Sequence, residues 1–393
     1  MADDKIRIGR IRLLDILRFK NLASARDKVI QKAPPSPIPS SFPINEEAKE
    51  LHPENQTMVV KAILDHPKAG AKTFVLEKKD GSEPAFFRAG QYVSIRLEID
   101  GSTVTRPYSL SSSPKDAEEG RYAITVKGNG EGLVSSYLLS SLKVRDELSA
   151  SGPQGNFYYE RLRDSRTVVA LAGGSGITPF FSMAQAIRDG YEDFSLILLY
   201  GSRRKEGILF EDELKEITRE TDKVKVVHVL SEEEREGYEK GFLNRNLIQR
   251  YGGDEYSLFL CGPSGMYRFL EKEIDGLDLP RRRVRREVMG SQATLDGEEK
   301  RFRLEVHQCG KVFLGALSSK ETLLVALERN GIPAPSRCRS GECGWCRSHL
   351  LSGSVTTPVE DYRRYQDKEG KEIHPCVTYP LSDIVLEVPG TYH

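Results

Sequence analysis

The chain has 393 residues, which is enough for two or three domains with separate hydrophobic cores. Its 58 basic and 58 acidic side chains balance, so the bulk charge does not indicate a nucleic-acid partner. No apolar run reaches the roughly 18 residues that a membrane span requires, and the arginine-rich N-terminus lacks a secretory core. We therefore expect a cytoplasmic protein with reduced cysteines, whose clustered thiols bind metal or act in redox chemistry.

The N-terminal region, residues 1–52, joins a basic segment to a proline-rich one. Residues 1–32 carry nine Lys or Arg against four Asp or Glu. Their apolar side chains recur at the spacing of one helix face, at Ile8, Ile11, Leu14 and Leu17. The stretch APPSPIPSSFP that follows predicts an extended linker. Such a helix can pack on its own enzyme, but the linker leads us to expect that residues 1–45 bind a partner subunit or an anionic membrane surface.

Short strands with alternating apolar residues fill the next region, residues 53–162. FRAGQYVSIRLEIDG and GRYAITVKGNG are examples, and they predict an antiparallel β-barrel. Residues 163–289 alternate buried-type strands, such as RTVVALAG and FSLILLYGS, with helices, which predicts an α/β domain with a parallel sheet. A polar linker, residues 290–300, leads into a small α+β unit at residues 301–393. The fold class is therefore multidomain α+β.

The last of these regions contains a cluster of cysteines. Cys338, Cys343 and Cys346 have the spacing C-x4-C-x2-C, and Cys376 follows, which is the pattern of plant-type [2Fe–2S] ferredoxins. The glycines between them allow a tight loop that directs backbone N–H groups at the sulfurs. Zinc is the less favoured alternative, because zinc sites usually contain two C-x2-C pairs and only one is present. Cys309, outside the loop, is expected to be an ordinary thiol.

A flavin site is predicted in the barrel region from the motifs TRPYSLSSSP and GLVSSYL. In the first, Arg106 can pair with a flavin phosphate, Tyr108 can lie against the isoalloxazine ring, and the Ser109 hydroxyl can reach its N5 atom. In the second, Gly132 precedes a helix start whose free N–H groups, with the hydroxyl of Ser135, can bind a diphosphate. This second phosphate-directed element favours FAD over FMN.

With these motifs the chain resembles the ferredoxin–NADP reductase-type flavin oxidoreductases that carry a fused C-terminal ferredoxin domain. The resemblance covers about residues 55–393 and rests on RPYSL, GLVSSYL, LAGGSGITP, LFLCGPSGM and the cysteine set. It implies a flavin-binding barrel, a nucleotide-binding domain and a β-grasp-like ferredoxin domain, in that order. Proteins of this kind are the reductase components of oxygenases, hybrid-cluster proteins and related metalloenzymes. The first 50 residues fall outside the resemblance.

The pyridine-nucleotide site is predicted where a strand passes into a helix, in VVALAGGSGITPFFSM. Gly173, Gly174 and Gly176 would let a diphosphate approach the backbone at the helix N-terminus. Thr178 is the expected N-cap and Pro179 the expected first helical residue. A lone glycine-rich turn is weak evidence, since it is also an ordinary tight loop, but the second strand-end motif CGPSGM strengthens it.

Two candidate residues take their roles from the resemblance. The family cysteine that matches Cys261 lies beside the nicotinamide, and the neighbouring Gly262 is expected to border the same ligand; a small buried thiol is the alternative. Glu287 matches an acid that lies near the flavin in the family. The aromatic residue often found two positions later is replaced by Met289, which puts the corresponding ring contact in doubt.

Two arginine-containing segments concern the choice of nucleotide and the partner. In YGSRRKEG, Ser202 with Arg203 or Arg204 can hold a 2′-phosphate, and no acidic residue stands at positions 202–204 to bind the ribose hydroxyls. This slightly favours NADPH over NADH, although a solvated loop is an equally good interpretation. The run PRRRVRREVMG has five arginines in six positions. It is interpreted first as a solvated edge strand and second as a partner-docking surface; nucleic-acid binding is not expected.

Together these patterns predict a flavo-iron–sulfur reductase. NAD(P)H gives a hydride to FAD, and electrons then pass singly to the [2Fe–2S] cluster and to a separate acceptor metalloprotein. The flavin is required because the nucleotide gives two electrons at once and the cluster takes one. The sequence does not separate an aerobic oxygenase from an anaerobic acceptor. The alternative is an electron-relay subunit of a larger redox complex, without catalysis of its own.

Overall fold

The structure, a computed structural model, describes residues 13–32, 42–128, 130, 132–290, 297–358 and 363–390. The described residues divide into two compact units, one up to Ala48 and one from Lys49 onwards. The first contains the predicted N-terminal helix as α1 (Leu13–Lys32), and α2 (Pro43–Leu51) follows. Most of the predicted linker and the apolar side chains of the predicted helix face lie outside the described part of the chain. Among the helices described, none is long and apolar enough to cross a membrane.

The second unit begins with a six-stranded antiparallel sheet. Its strands are β1 (Gln56–His66), β2 (Ala71–Lys78), β3 (Tyr92–Ile99), β4 (Ser102–Ser109), β5 (Arg121–Lys127) and β6 (Glu147–Ala150). The order across the sheet is β4-β3-β6-β1-β2-β5. An antiparallel bridge between Leu110 and Ile124 joins the two outer edges, so that the sheet curls around its apolar core. Two helices accompany this sheet, α3 (Pro114–Glu118) and α4 (Leu133–Ser140).

A six-stranded parallel sheet follows, in the order β10-β9-β8-β7-β11-β12. Its strands are β7 (Thr167–Gly173), β8 (Ser195–Ser202), β9 (Val224–Leu230), β10 (Glu239–Lys240), β11 (Ser257–Cys261) and β12 (Val284–Glu287). The helices are α5 (Thr178–Arg188), α6 (Glu211–Glu220), α7 (Arg245–Gly252) and α8 (Ser264–Ile274). Alternate residues of β7 face opposite sides, so Val168 packs with α5 and α6 and Val169 with α7 and α8. Two separate apolar cores result, which explains the continuous apolar strands of this region.

The last sheet is mixed and has the order β14-β13-β19-β15-β17. Its strands are β13 (Arg301–Gln308), β14 (Lys311–Ser318), β15 (Ser348–Ser352), β17 (Glu372–Ile373) and β19 (Ile384–Glu387). The remaining elements are α9 (Leu323–Arg329), the paired strands β16 (Val355–Thr356) and β18 (Tyr379–Pro380), and α10 (Tyr365–Glu369). Helix α9 packs on the sheet through Leu323 and Leu327. The cysteine loop comes between α9 and β15 in the sequence. The predicted succession of antiparallel, parallel and ferredoxin-like sheets is confirmed.

Candidate functional site

A cavity of about 820 Å³ lies between the end of β4 and the carboxyl edge of the parallel sheet. Tyr108 and Ser109 line it from β4, and Cys261 and Glu287 line it from the ends of β11 and β12. The other predicted site residues that border it are Gly173, Gly174, Gly176, Thr178, Arg203 and Gly262. Residues predicted separately for the flavin and for the nicotinamide therefore surround one space. This is also the edge where open α/β sheets generally bind their ligands.

The β4 side of the cavity offers an aromatic ring and a hydroxyl. Ser109 is buried, and Tyr108 is half-buried against the core of the antiparallel sheet. Burial raises the pKa of Tyr108 to about 12, so its phenol stays neutral at physiological pH. A neutral ring beside a buried hydroxyl suits a planar, hydrogen-bonding ligand such as an isoalloxazine.

The second flavin motif lies at the start of α4. Gly132 is the N-cap residue, and the hydroxyl of Ser135 donates to the carbonyl oxygen of Gly132 at 3.0 Å. Neither residue lines the 820 Å³ cavity beside β4. Residues 129 and 131, beside this turn, lie outside the described residues. The diphosphate contact of this motif stays a prediction.

The glycine-rich loop after β7 packs closely against the end of β11. A Cβ atom on Gly176 would lie 2.1 Å from the carbonyl oxygen of Cys261, and one on Gly173 would lie 2.6 Å from the sulfur of Met266. At position 176 only glycine fits, because the clash is with backbone, whereas at position 173 the Met266 side chain would have to move. The loop can therefore pass directly beside the second strand-end motif. The glycine-rich loop after β7 and the CGPSGM motif at the end of β11 are thus held together by close packing.

The start of the following helix differs from the prediction. A 3₁₀ turn from Gly174 to Ile177 runs directly into α5, so Ile177 is the N-cap and Thr178 is already helical. The expectation that Thr178 caps the helix and that Pro179 is its first residue is therefore wrong by one position. The Thr178 hydroxyl donates to the carbonyl oxygen of Ser175 at 3.1 Å and helps to close the turn.

Cys261 and Glu287 form a buried pair of groups beneath the cavity. They are register partners at the ends of the parallel strands β11 and β12. Burial raises the pKa of the Cys261 thiol and, well above its usual range, the pKa of the Glu287 carboxyl. Among the described atoms, Oε2 of Glu287 has no hydrogen-bond partner. A neutral carboxylic acid with a free polar atom thus faces the place where a cofactor would bind.

A second cavity, of about 790 Å³, lies along the ends of β8 and β9. Ser202, Arg203 and Arg204 line it, as predicted for the adenosine end of the nucleotide. Glu232 also lines it, and its carboxylate lies 3.7 Å from Nε of Arg203 and 3.3 Å from Nε of Arg204. Sequence reasoning missed Glu232, because it follows a different strand from the arginines. Since β8 and β9 are parallel neighbours, their ends meet at one edge, and that signal could have found it.

The cysteine loop brings its four sulfurs together as two pairs. Cys343 donates a backbone hydrogen bond to the sulfur of Cys338 at 3.4 Å, and the sulfurs of Cys346 and Cys376 lie 3.4 Å apart. Hydrogen bonds from Cys343 and Ser340 lower the pKa of Cys338 to about 5, which favours the thiolate that a metal ligand must be. In the described residues, no three His, Cys, Asp or Glu side chains converge on a single metal ion. Two pairs suit a two-iron cluster better than one zinc ion.

A third cavity, of about 530 Å³, lies beside the cysteine loop. Cys338 and Cys343 line one side, and Glu287 and Met289 line the other. Because Glu287 and Met289 also border the 820 Å³ cavity, the end of β12 separates the cavity beside β4 from the cysteine loop. The third cavity is also rich in arginine, with Arg163, Arg281, Arg282, Arg285, Arg286 and Arg337 in its walls.

Arg106, the predicted phosphate ligand, does not line the 820 Å³ cavity beside β4. Its Nη1 atom lies 3.1 Å from Oε1 of Glu328, which belongs to α9 of the ferredoxin-like region. The sequence contained no signal for this contact, since the two residues are 222 positions apart. Arg106 thus joins the antiparallel sheet to the region that carries the cysteine loop.

Comparisons with known proteins agree with this division of the chain. Residues 69–159 match the family described as oxidoreductase FAD-binding domain. Residues 170–272 match the oxidoreductase NAD-binding domain, and residues 315–381 match the 2Fe-2S iron-sulfur cluster binding domain. The three matches follow one another in the order in which the three sheets occur.

Two curated relatives are similar over most of their length. The glycine betaine monooxygenase reductase subunit of Chromohalobacter salexigens is 28% identical over 327 residues, covering 77% of this chain and 87% of the relative. The 3-ketosteroid-9-alpha-monooxygenase ferredoxin reductase component of Mycobacterium tuberculosis is 29% identical over 334 residues, covering 80% and 90%. Among solved structures, phthalate dioxygenase reductase is similar with a TM-score of 0.64 at 25% identity, covering 85% of this chain and 98% of that one.

Three ordered domains, one cavity bordered by residues predicted for the flavin and for the nicotinamide, and a four-cysteine loop are the features of a modular electron-transfer reductase. The chain carries an oxidoreductase FAD-binding domain, an oxidoreductase NAD-binding domain and a 2Fe-2S cluster binding domain, in the order that the resemblance to ferredoxin–NADP reductase-type flavin oxidoreductases with a fused ferredoxin domain predicts. It is an oxidoreductase that uses NAD(P)H, FAD and a [2Fe–2S] cluster and passes electrons to a separate acceptor protein.

Proposed function

We propose that this chain is the reductase component of an oxygenase system. The observation that carries the proposal is the position of Glu287 and Met289, which border both the cavity beside β4 and the cavity beside the cysteine loop. A flavin bound against Tyr108 would therefore have the nucleotide-binding edge on one side and the cluster ligands on the other. The relatives named as monooxygenase reductase components support an oxygenase as the acceptor.

Each region of the chain has a separate task in this proposal. Gly173, Gly174 and Gly176 let the nucleotide diphosphate approach the loop after β7, while Cys261 and Gly262 border the nicotinamide. Ser202 and Arg203 hold the adenosine end. These residues bind and orient; the flavin, when bound, supplies the conversion of a two-electron donor into single electrons.

The groups beside the flavin hold protons and exclude water. The Ser109 hydroxyl is buried at the end of β4 and would donate to the flavin ring. The Glu287 carboxyl, kept protonated by burial, would offer its free oxygen and proton from the floor of the cavity. Tyr108 would cover one face of the ring and, as a neutral phenol, add no charge there.

Two cysteine pairs would hold the cluster, one pair for each iron. Cys338 and Cys343 would bind one iron, and Cys346 and Cys376 the other, because the side chains within each pair already contact each other. The nearby backbone N–H groups would donate to the sulfurs and stabilise the negative charge of the cluster. Cys343 is exposed whereas the other three are buried, so electrons would leave beside Cys343.

The acceptor would dock with an acidic surface over the arginine-lined cavity. Arg281 and Arg282 are exposed and form no ion pair with any described residue, whereas Arg283, Arg285 and Arg286 are paired with carboxylates. The two unpaired guanidinium groups line the cavity that also contains Cys343. This favours partner docking over the solvated edge strand as the role of the arginine run, since free charges beside an electron exit steer an oppositely charged partner.

Residues 1–45 would attach the enzyme to a partner subunit or a membrane surface. They are basic, and most of them belong to a compact unit separate from the residues that bind the cofactors. Deletion of this segment should leave NADH-driven dye reduction and flavin content unchanged while it weakens attachment. A large loss of flavin or of thermal stability would show that the segment is part of the enzyme fold.

The proposed function is tested with the purified full chain. With NADH or NADPH alone it should reduce a dye such as dichlorophenolindophenol, which the relay-subunit alternative does not allow. Added to source-cell extract depleted of this chain, the wild type should restore NAD(P)H-dependent oxygen consumption, and Cys343→Ser should not. A natural acceptor that takes the electrons without consuming oxygen would contradict the oxygenase proposal while leaving the reductase activity intact.

A further inference from the structure

A buried ion cluster joins the flavin strand to the cysteine loop. Arg339 directly follows Cys338 and contacts Glu328 twice, with Nη1 2.6 Å from Oε1 and Nη2 3.2 Å from Oε2. Arg106 of β4 reaches the same carboxylate at 3.1 Å. The side chains of Arg339 and Glu328 are each only 8% exposed, so this cluster lies inside the boundary between the two domains.

The ion cluster of Arg106, Glu328 and Arg339 fixes the backbone on both sides of that boundary. The carbonyl oxygen of Thr105 accepts hydrogen bonds from Arg106 at 2.9 Å and from Arg339 at 3.4 Å. Arg339 itself has a left-handed backbone with φ of 58°, an uncommon conformation for a residue with a side chain. The guanidinium contacts compensate for this conformation and orient the peptide next to Cys338.

The charges of this ion cluster do not balance. It contains two guanidinium groups and one carboxylate, and no other carboxylate of the described residues lies within 4.0 Å of Arg106 or Arg339. Burial and the neighbouring Arg339 lower the pKa of Arg106, which reflects the excess of positive charge. Buried charges are costly unless they are paired, so the excess guanidinium charge favours binding of a further anion at this site. Arg106 is the more exposed of the two arginines and the one in the flavin motif.

We propose that Glu328 positions the cysteine loop for electron transfer, and that Arg106 shares its charge between Glu328 and the flavin phosphate. Flavin binding and docking of the ferredoxin domain would then stabilise each other, since the phosphate balances the second guanidinium charge and Glu328 orients Arg106. Linkage of this kind is reciprocal. The inference rests on the proposed function, because it assumes that flavin and cluster exchange electrons within one chain.

Substitution Glu328→Gln in the full, cofactor-loaded chain separates docking from flavin chemistry. The rate at which NADH-reduced flavin reduces the cluster should fall by about tenfold or more, since looser positioning of reacting groups costs rates of that order. With flavin added to saturation, dye reduction should stay at the wild-type level, whereas the affinity for flavin should fall because Glu328 no longer orients Arg106. Glu321→Gln is the matched control, because Glu321 forms its ion pair with Arg329 inside the ferredoxin domain, at 2.6 Å. Cluster reduction at the same rate in Glu328→Gln and in the control would overturn the proposal.

A second measurement tests the linkage in the wild type first and then in the variant. Amide hydrogen exchange of the wild type is compared with and without bound flavin. Flavin should slow exchange in α9 and in residues 335–346, and Glu328→Gln should abolish that effect. Unchanged exchange in these segments would overturn the linkage even if the variant loses its cluster. If NADH fails to reduce the cluster of the wild type, the proposed function itself is wrong, which is a distinct result.

Discussion

Cys261 and Glu287 lie opposite each other in the register of two neighbouring parallel strands, and both border the cavity beside β4. Both are buried, so the thiol and the carboxyl are held in their neutral forms. Glu287 also borders the cavity beside the cysteine loop. One carboxyl group therefore borders both the cavity proposed for flavin and nicotinamide and the cavity beside the cysteine loop, and its protonation should affect the groups on both sides.

The raised pKa of Glu287 predicts a pH-dependent stability. Above about pH 4.5 the unfolded carboxyl ionises while the buried one stays protonated, so the folded state loses stability as pH rises towards the folded pKa. The loss is up to about 1.4 kcal/mol per pH unit. Glu287→Gln removes this dependence, so its melting temperature should gain on the wild type between pH 5 and pH 8. A melting-temperature difference that stays constant over this range would contradict the assignment.

The cysteine assignment predicts a selective loss of the cluster. Cys343→Ser should remove the visible absorbance of the cluster and its iron and sulfide, and with them the reduction of cytochrome c through the cluster. Flavin absorbance and dye reduction should remain, because the flavin ligands belong to another domain. The matched control is Cys309→Ser, since Cys309 lies outside the loop. Full iron and sulfide content in the Cys343 variant would show that the ligand set is wrong.

The ion pairs of Glu232 predict how the enzyme distinguishes the two nucleotides. Arg203→Ala combined with Arg204→Ala should raise KM for NADPH by about tenfold, since a charge-assisted contact to the 2′-phosphate is lost. KM for NADH should change little. Glu232→Gln should act in the opposite direction and improve NADPH use, because it releases both arginines. Equal effects on the two nucleotides would identify these arginines as a solvated surface.

The unpaired arginines predict charge-dependent contact with the acceptor. Reversing both charges, with Arg281→Glu and Arg282→Glu, should slow electron delivery to an acidic ferredoxin probe by roughly tenfold at low salt and speed delivery to basic cytochrome c. Both effects should weaken as salt screens the charges. Arg301→Glu serves as the control, because Arg301 is exposed but does not line this cavity. If the control changes the rates as much as the double variant does, the docking surface lies elsewhere.

Local patterns predicted the sheets because each pattern is set by the face that a strand buries. Val168 and Val169 belong to different cores, so the apolar run of β7 had to be continuous. The cysteine spacing was equally readable, because three of the four ligands lie within nine positions. The helix start at Thr178 was missed since the chain enters α5 through a 3₁₀ turn, where capping residues do not mark the boundary.

Long-range contacts are not marked by local features of the sequence. Glu232 follows β9 and meets arginines that follow β8, so only the parallel arrangement of these two strands could have pointed to the pairing. Glu328 looks like an ordinary helical residue of α9, yet it is buried between two arginines from different domains. Such contacts depend on how the domains meet, which periodicity and motif spacing do not encode.

The most direct test of the account is an anaerobic rapid-mixing experiment with the purified full chain and NADH or NADPH. Flavin absorbance should bleach first, and the cluster absorbance should then bleach in a slower phase without any added protein. Cys343→Ser should show the flavin phase alone. Reduction of the flavin with a cluster that stays oxidised in the wild type would contradict the central claim that one chain carries electrons from nucleotide to cluster.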